Sequence, residues 1–153
     1  MHPICHIKDF PSGYSFLFGI CSRRLAAVTL SRIVSLFDEN GEVKDKFSTK
    51  PADPKQGSRF YTITGMVFSP DSTRLAIAQS DEIIYVYKLG AEWGDKKTIC
   101  NKLQQMASIT AMVWPCIHQH EIWFGLTDGK VKVLGHLMLQ TVHFVGHVTN
   151  YCA

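Results

Sequence analysis

The segment from Ile63 to Lys102 reads ITGMVFSPDSTRLAIAQSDEIIYVYKLGAEWGDKKTICNK. Its apolar runs are short and rich in Ile, Val, Tyr and Phe, which favours β-strands over helices. The breaks between the runs are turn-forming, because proline fixes one φ angle and Ser and Asp side chains bond nearby backbone. The segment therefore predicts four short strands in succession, joined as an antiparallel unit.

This unit recurs along the chain. A later copy contains three strand candidates, Ile109–Pro115, Glu121–Leu126 and Asp128–Leu134. The registers agree, since Phe68 and Trp114 stand 46 positions apart and Asp81 and Asp128 stand 47 apart. An earlier and weaker copy runs from Leu25 to Phe47. A repeat of this length with four strands per unit is typical of a β-propeller blade.

The turns between the predicted strands carry their own signals. Asn40-Gly41 and Asp128-Gly129 tolerate positive φ at both central positions and so favour tight hairpins. Asp81 and Asp128 occupy equivalent turns of two units. Residues one blade apart belong to adjacent blades, so a role in holding turn backbone or a neighbouring blade is favoured over a catalytic carboxylate pair. We therefore interpret Asp81, Asp128, Asn40, Gly41 and Gly129 as structural turn residues.

The repeats predict an all-β fold, an incomplete WD40-like propeller of about two to three four-stranded antiparallel blades. Its blade signature is diverged, because Phe37-Asp38 alone resembles the Trp-Asp pair that ends the third strand of such blades. The predicted organisation is a divergent N-terminus with a candidate first-blade strand at 1–22, blade 1 at 23–60, blade 2 at 61–104, a partial blade 3 at 105–135 and a divergent uncharged tail at 136–153.

Several stretches are more specific than blades in general. They are DENGEVKDKFSTKPAD at 38–53, GMVFSPDSTRLAIAQ at 65–79, IYVYK at 84–88 and EWGDKKTICNK at 92–102. Together they resemble the intraflagellar transport protein 172 family, whose members are large subunits of the complex B train that builds cilia. Two parts of these stretches, 45–53 and 93–97, are expected to lie between or after strands, where blades in general vary freely.

The resemblance implies a function. It implies a protein-interaction scaffold for anterograde transport and cilium assembly, with other complex B subunits as partners and the cilium, ciliary base and cytoplasm as its location. A generic WD40 adaptor in vesicle coat or RNA-processing assemblies is the alternative, since it shares the blade but not the loop segments. The resemblance covers residues 23 to about 133, so we expect a fragment, an alternative product or a misplaced gene end, with a ring too short to close.

The composition and charge disfavour disordered, nucleic-acid-binding and membrane-spanning proteins. At 46% hydrophobic and 19% charged residues, the chain is globular. Its net charge of +3 comes from scattered Lys and Arg, which does not favour nucleic acid as a partner. Five cysteines without a Cys-x-x-Cys pair fit reduced thiols. Val133 to Ala153 carries no charge, but its His, Gln and Asn residues disfavour a membrane span, so membrane contact is a weak expectation.

No residue pattern points to catalysis or cofactor binding. The sequence holds no phosphate-binding loop, dinucleotide-binding glycine motif or nucleophile elbow. Cys100, Cys116, His118 and His120 are metal-ligand types, but structural zinc usually requires two close pairs, so a loop with incidental histidines is favoured. We therefore expect no enzyme activity, no cofactor, no metal site and no small-molecule substrate.

The tryptophans are the best candidates for contact with a partner protein. Trp114 and Trp123 lie in predicted strands and are expected in the core. Trp93 lies in the polar loop Gly90 to Lys97. Because tryptophan is enriched at interface hot spots, Trp93 is the predicted protein-contact residue.

Overall fold

The computed structural model describes residues 17–20, 23–56, 60–135 and 139–142, the first and last of these ranges by backbone only. The described residues form one short 3-10 helix, Pro54–Gln56, and twelve strands. The strands are β1 (Leu17–Ile20), β2 (Leu25–Val28), β3 (Ile33–Phe37), β4 (Val43–Ser48), β5 (Ile63–Phe68), β6 (Arg74–Gln79), β7 (Ile83–Lys88), β8 (Thr98–Gln104), β9 (Ile109–Val113), β10 (Ile122–Leu126), β11 (Val131–Leu134) and β12 (Leu139–Val142). Within these ranges no helix has the length and apolar character that a membrane crossing needs.

The strands form three four-stranded sheets: β1 to β4, β5 to β8 and β9 to β12. Each sheet is an antiparallel meander whose strand order follows the chain. The first strands of the sheets lie side by side, β1 next to β5 and β5 next to β9. The sheets therefore radiate from a shared inner edge, as propeller blades do, and three blades leave the ring open. The predicted all-β, incomplete propeller is confirmed.

The middle sheet is buried on both faces. Side chains alternate along a strand, so Leu75 and Ile77 of β6 pack toward the first sheet while Ala76 and Ala78 pack toward the third. All four are at most 1% exposed. Two hydrophobic cores therefore share the middle sheet, one on each side. This explains why β6 and β7 are continuous apolar runs instead of alternating apolar and polar residues.

Two strands lie in the terminal segments that were predicted to be divergent. The backbone of β1, within 1–22, pairs with β2, and the backbone of β12, within 136–153, pairs with β11. Each of them gives its sheet a fourth strand. The other residues of these two segments lie outside the described part of the chain, and the predicted domain boundaries stay a prediction.

The turns between the second and third strands of the three sheets are equivalent. Each contains one residue in the left-handed region, Arg32 (φ 63°), Glu82 (φ 65°) and Gly129 (φ 80°). In each turn, the N–H of that residue donates to the carbonyl three residues earlier. The repeat found in the sequence is therefore reproduced in backbone conformation, with glycine at the left-handed position in the third sheet only.

The turns predicted as tight hairpins differ in detail. Gly41 (φ 77°) and Gly129 are left-handed, whereas Asn40 and Asp128 are not among the residues with positive φ. The two-residue turn with both central residues left-handed, which the sequence favoured, is therefore wrong at both places. Instead, a longer connection ends in a single left-handed glycine, an arrangement typical of hairpins with a type I turn and a bulge.

Candidate protein-interaction site

The loop between β7 and β8 reaches across to the first sheet. Gly94 donates its N–H to Asp45 Oδ2 of β4 at 2.9 Å, and Lys97 Nζ donates to the same carboxylate. The side chains of Lys97 and Asp45 are only 7% and 14% exposed. These contacts join two blades through a nearly buried ion pair, which we call the clasp (Asp45, Gly94 and Lys97).

The clasp lowers the pKa of Asp45. Burial alone would raise the pKa of this carboxyl, but hydrogen bonds from Lys97 and from the N–H groups of Gly94 and Lys46 outweigh burial and hold it below the ordinary value. Asp45 therefore stays ionised at neutral pH and remains matched to the Lys97 ammonium.

Trp93 lies at the tip of the clasped loop. Its side chain is 38% exposed, and the Arg24 guanidinium stands 4.7 Å from the centre of its ring. Arg24 also donates to the carbonyls of Ala91 at 3.0 Å and Gly90 at 3.4 Å. The first sheet therefore holds this loop at two points, and Trp93 presents its remaining surface from a fixed position.

The loop leaves the middle sheet through a glycine. Gly90 has φ 86°, and a Cβ added there would lie 2.4 Å from the Asp95 Cβ. A side chain at this position would therefore collide with the loop's own far end. The tight turn at Gly90 directs the loop back toward the first sheet.

A cleft of about 560 Å³ lies beside Trp93, between the loop and the first sheet. It is lined by Arg23, Arg24, Asp38, Glu39, Ala91 and Trp93. Removal from water would raise the pKa of Asp38, but the N–H groups of Glu42 and Asn40 and the Lys44 ammonium lower it. Both signs of charge flank the indole, so the cleft combines an aromatic surface with a polar rim, a combination that is common at protein interfaces.

Of the predicted turn residues, those of the Asn40-Gly41 turn lie next to this cleft. The N–H of Asn40 donates to Oδ1 of Asp38, a residue of the cleft lining, at 2.9 Å. Asp81 Oδ2 accepts from the N–H of Ala52 at 2.8 Å and so ties the linker between the first two sheets to the middle sheet. Asp128 Oδ1 accepts from the N–H of Lys130 within its own turn. The two aspartates stand on different blades and share no partner among these contacts.

The other singled-out residues have simpler surroundings. Trp114 is 7% exposed and donates its indole N–H to the Gln119 carbonyl at 2.9 Å. Trp123 is half-buried.

Cys100 and Cys116 are exposed free thiols. Among residues 23–56 and 60–135, no cluster of three or more His, Cys, Asp or Glu side chains could hold a metal ion.

Sequence reasoning missed the clasp and Arg24. It marked segments 45–53 and 93–97 as specific but gave no sign that they touch. The structure brings Asp45 and Lys97, separated by 52 positions, into direct contact. Lys97 lies in the loop as expected, whereas Asp45 lies in β4 and not in a loop. Two oppositely charged residues in unusually specific segments were the only signal in the sequence, because the pairing depends on how the blades are placed.

Adjacent four-stranded meanders with neighbouring first strands define a segment of a β-propeller. No protein-family model matches the chain. Individual relatives do: the intraflagellar transport protein 172 homolog of Mus musculus is 54% identical over 110 residues. The corresponding protein of Chlamydomonas reinhardtii is 52% identical over 115 residues, and intraflagellar transport protein osm-1 of Caenorhabditis elegans is 44% identical over 110.

Each of these matches covers 72% of this chain and 6% of the relative. We therefore assign the matched part of the chain to the intraflagellar transport protein 172 family, and the resemblance found in the sequence is confirmed. The chain spans about 6% of the length of the curated relatives that it matches.

Proposed function

We propose that this chain is a protein-interaction scaffold of intraflagellar transport. The observation that supports the proposal most is its identity of 44% to 54% to intraflagellar transport proteins over 72% of its length. The proposed partners are other complex B subunits, and the proposed location is the cilium, the ciliary base and the cytoplasm. The proposed role involves neither catalysis nor a cofactor.

The surface proposed to contact a partner is centred on Trp93. Three observations support it: the indole is 38% exposed, Arg24 stacks on it, and the clasp holds its loop in place. Tryptophan and arginine are among the side chains enriched at interface hot spots. A loop that is already ordered also loses little conformational entropy when a partner binds.

Co-purification tests the assembly. The chain, carrying an affinity tag, is expressed in ciliated cells, captured, and its partners are identified by mass spectrometry. We expect enrichment of complex B subunits over a control with the tag alone. Recovery of vesicle coat or RNA-processing proteins instead would support the generic WD40 adaptor and reject the transport assignment.

Trp93→Ala tests the contact residue. We expect capture of complex B subunits to fall about tenfold, as for a tryptophan at a hot spot. Stability should change by less than about 1 kcal/mol, because the indole makes one exposed cation–π contact. Quantitative mass spectrometry and a urea melt supply the two readouts.

Ile117→Ala is the matched control, since Ile117 is 88% exposed and lies in another loop. It should leave capture unchanged. If the two variants lose capture of complex B subunits to the same extent, Trp93 is not a contact residue.

A further inference from the structure

A second cavity, of about 390 Å³, lies at the opposite end of the strands from Trp93. Its walls are the turn before β3, the end of β4 and Tyr61 of the linker into the middle sheet. The volume falls within the range of pockets that hold a ligand or a peptide side chain. None of the site residues predicted from the sequence is among those that line it.

The inner wall of this cavity is built from buried polar groups that satisfy one another. Tyr61 and Thr49 are 3% and 8% exposed, and their hydroxyls are 2.9 Å apart. Thr49 also donates its backbone N–H and its hydroxyl to the Arg32 carbonyl, each at 3.1 Å. The cavity is therefore a formed feature between two blades rather than a gap between loose loops.

Among the described residues that line the cavity, Arg32 is the one with a charged side chain. Its guanidinium stands 4.7 Å from the Tyr61 ring centre and 5.9 Å from that of Phe60. The ion pairs found within residues 23–56 and 60–135 do not include Arg32. The aromatic rings orient this cation, and within the described part of the chain its side chain has no hydrogen bond or ion pair that would compete with an anionic group.

Exposed apolar side chains surround the cation. Leu30 is 53% exposed, Ile33 is 42% exposed and Phe60 is 76% exposed. Leu30 and Ile33 flank Arg32 in its turn, and Phe60 faces its guanidinium. Apolar area gathered around an arginine is the composition of an interface centre, which a freely solvated surface lacks.

The backbone at Arg32 is costly for an arginine. Its φ of 63° lies in the left-handed region, where a residue with a Cβ is strained and glycine is not. The equivalent turn of the third sheet has Gly129 at this position. The equivalent turn of the second sheet has Glu82 at this position, so the turn accepts different residues and does not itself require an arginine.

We propose that this cavity binds an extended acidic segment of a partner protein. A carboxylate of that segment pairs with Arg32, and a neighbouring Leu or Phe side chain enters the cavity against Ile33 and Tyr61. Charge complementarity selects this occupant, since the described lining residues are Arg32 and otherwise neutral side chains. The site is separate from Trp93, and the proposal holds or fails independently of the transport assignment.

The test begins with a phage-displayed library of random eight-residue peptides, selected on the full chain. We expect a consensus that combines Asp or Glu with Leu or Phe. The consensus peptide, labelled with fluorescein, is then titrated with each variant by fluorescence polarisation. Failure to enrich any sequence, or a basic consensus, overturns the proposal.

Arg32→Gly and Glu82→Gly form a matched pair, since both replace a strained residue in equivalent turns with glycine. Arg32→Gly should weaken peptide binding at least tenfold, and Glu82→Gly should leave peptide binding unchanged. Both variants should keep the wild-type unfolding midpoint or raise it. Phe60→Ala truncates an exposed ring and should also weaken peptide binding. This variant keeps the proposal testable if Arg32→Gly does not fold.

Two outcomes contradict the proposal. One is peptide binding that survives Arg32→Gly. The other is binding of the chain to phosphatidylserine vesicles that exceeds its binding to the peptide and is lost in Arg32→Gly, which would assign the site to an anionic membrane surface.

Discussion

Asp45→Ala is expected to lower the free energy of unfolding by about 3 kcal/mol, since it leaves the Lys97 ammonium nearly buried without its carboxylate. It also removes the acceptor of the Gly94 N–H, so the loop that carries Trp93 loses its anchor on the first sheet. Urea unfolding followed by circular dichroism measures the loss.

The control is the double variant Asp45→Ala with Lys97→Met. Removing both charges also removes the buried unpaired ammonium, so the double variant should recover more than half of the lost stability. Additive losses from the two single substitutions would show that the side chains do not interact and that the loop is not clasped.

The clasp also predicts a dependence on pH. The pKa of Asp45 is lowered in the folded chain, so the stability that it contributes is complete above its unfolded value near 3.8. That contribution is lost as the pH falls through the lower folded value. The stability difference between wild type and Asp45→Asn should therefore be constant near neutral pH and shrink below about pH 4. A difference that persists at low pH would contradict the ion pair.

Phe124→Ala is expected to cost about 3 to 5 kcal/mol, the usual range for removing a fully buried phenylalanine. Phe124 is 1% exposed and belongs to the core between the middle and third sheets. Its truncation leaves a cavity against a face lined by Ala76 and Ala78, which are too small to fill it. Urea unfolding measures the effect, with the milder Phe124→Leu as a second variant if alanine abolishes folding.

Phe60→Ala removes the same atoms from a ring that is 76% exposed and should cost less than about 1 kcal/mol. The contrast between two identical truncations tests whether the second and third sheets pack as blades. Similar losses at Phe60 and Phe124 would mean that they do not.

Much of the fold follows from the local pattern of the sequence. The segment from Ile63 to Lys102 was predicted to form four short strands, and it contains β5, β6, β7 and most of β8. Short β-branched runs with turn residues between them specify such strands without help from distant residues. The burial of β7 on both faces is consistent with its unbroken apolar run from Ile83 to Tyr87.

The site was predicted only in part, because its contacts are not local. The sequence singled out Trp93 by residue type and loop position, but neither its stacking on Arg24 nor the anchoring of its loop follows from that. These contacts cross from one blade to the next and depend on how the sheets are placed around their inner edge. The left-handed backbone of Arg32 also had no sequence signal, since arginine is a residue that normally avoids this region.

Live imaging tests most directly the proposal that this chain works as an intraflagellar transport scaffold. The chain is fused to a fluorescent protein and expressed in ciliated cells that carry a complex B subunit labelled in a second colour. We expect both colours to move together along the cilium at the same velocity. A folded, well-expressed chain that never enters the cilium, or that enters without moving with the labelled subunit, would contradict it.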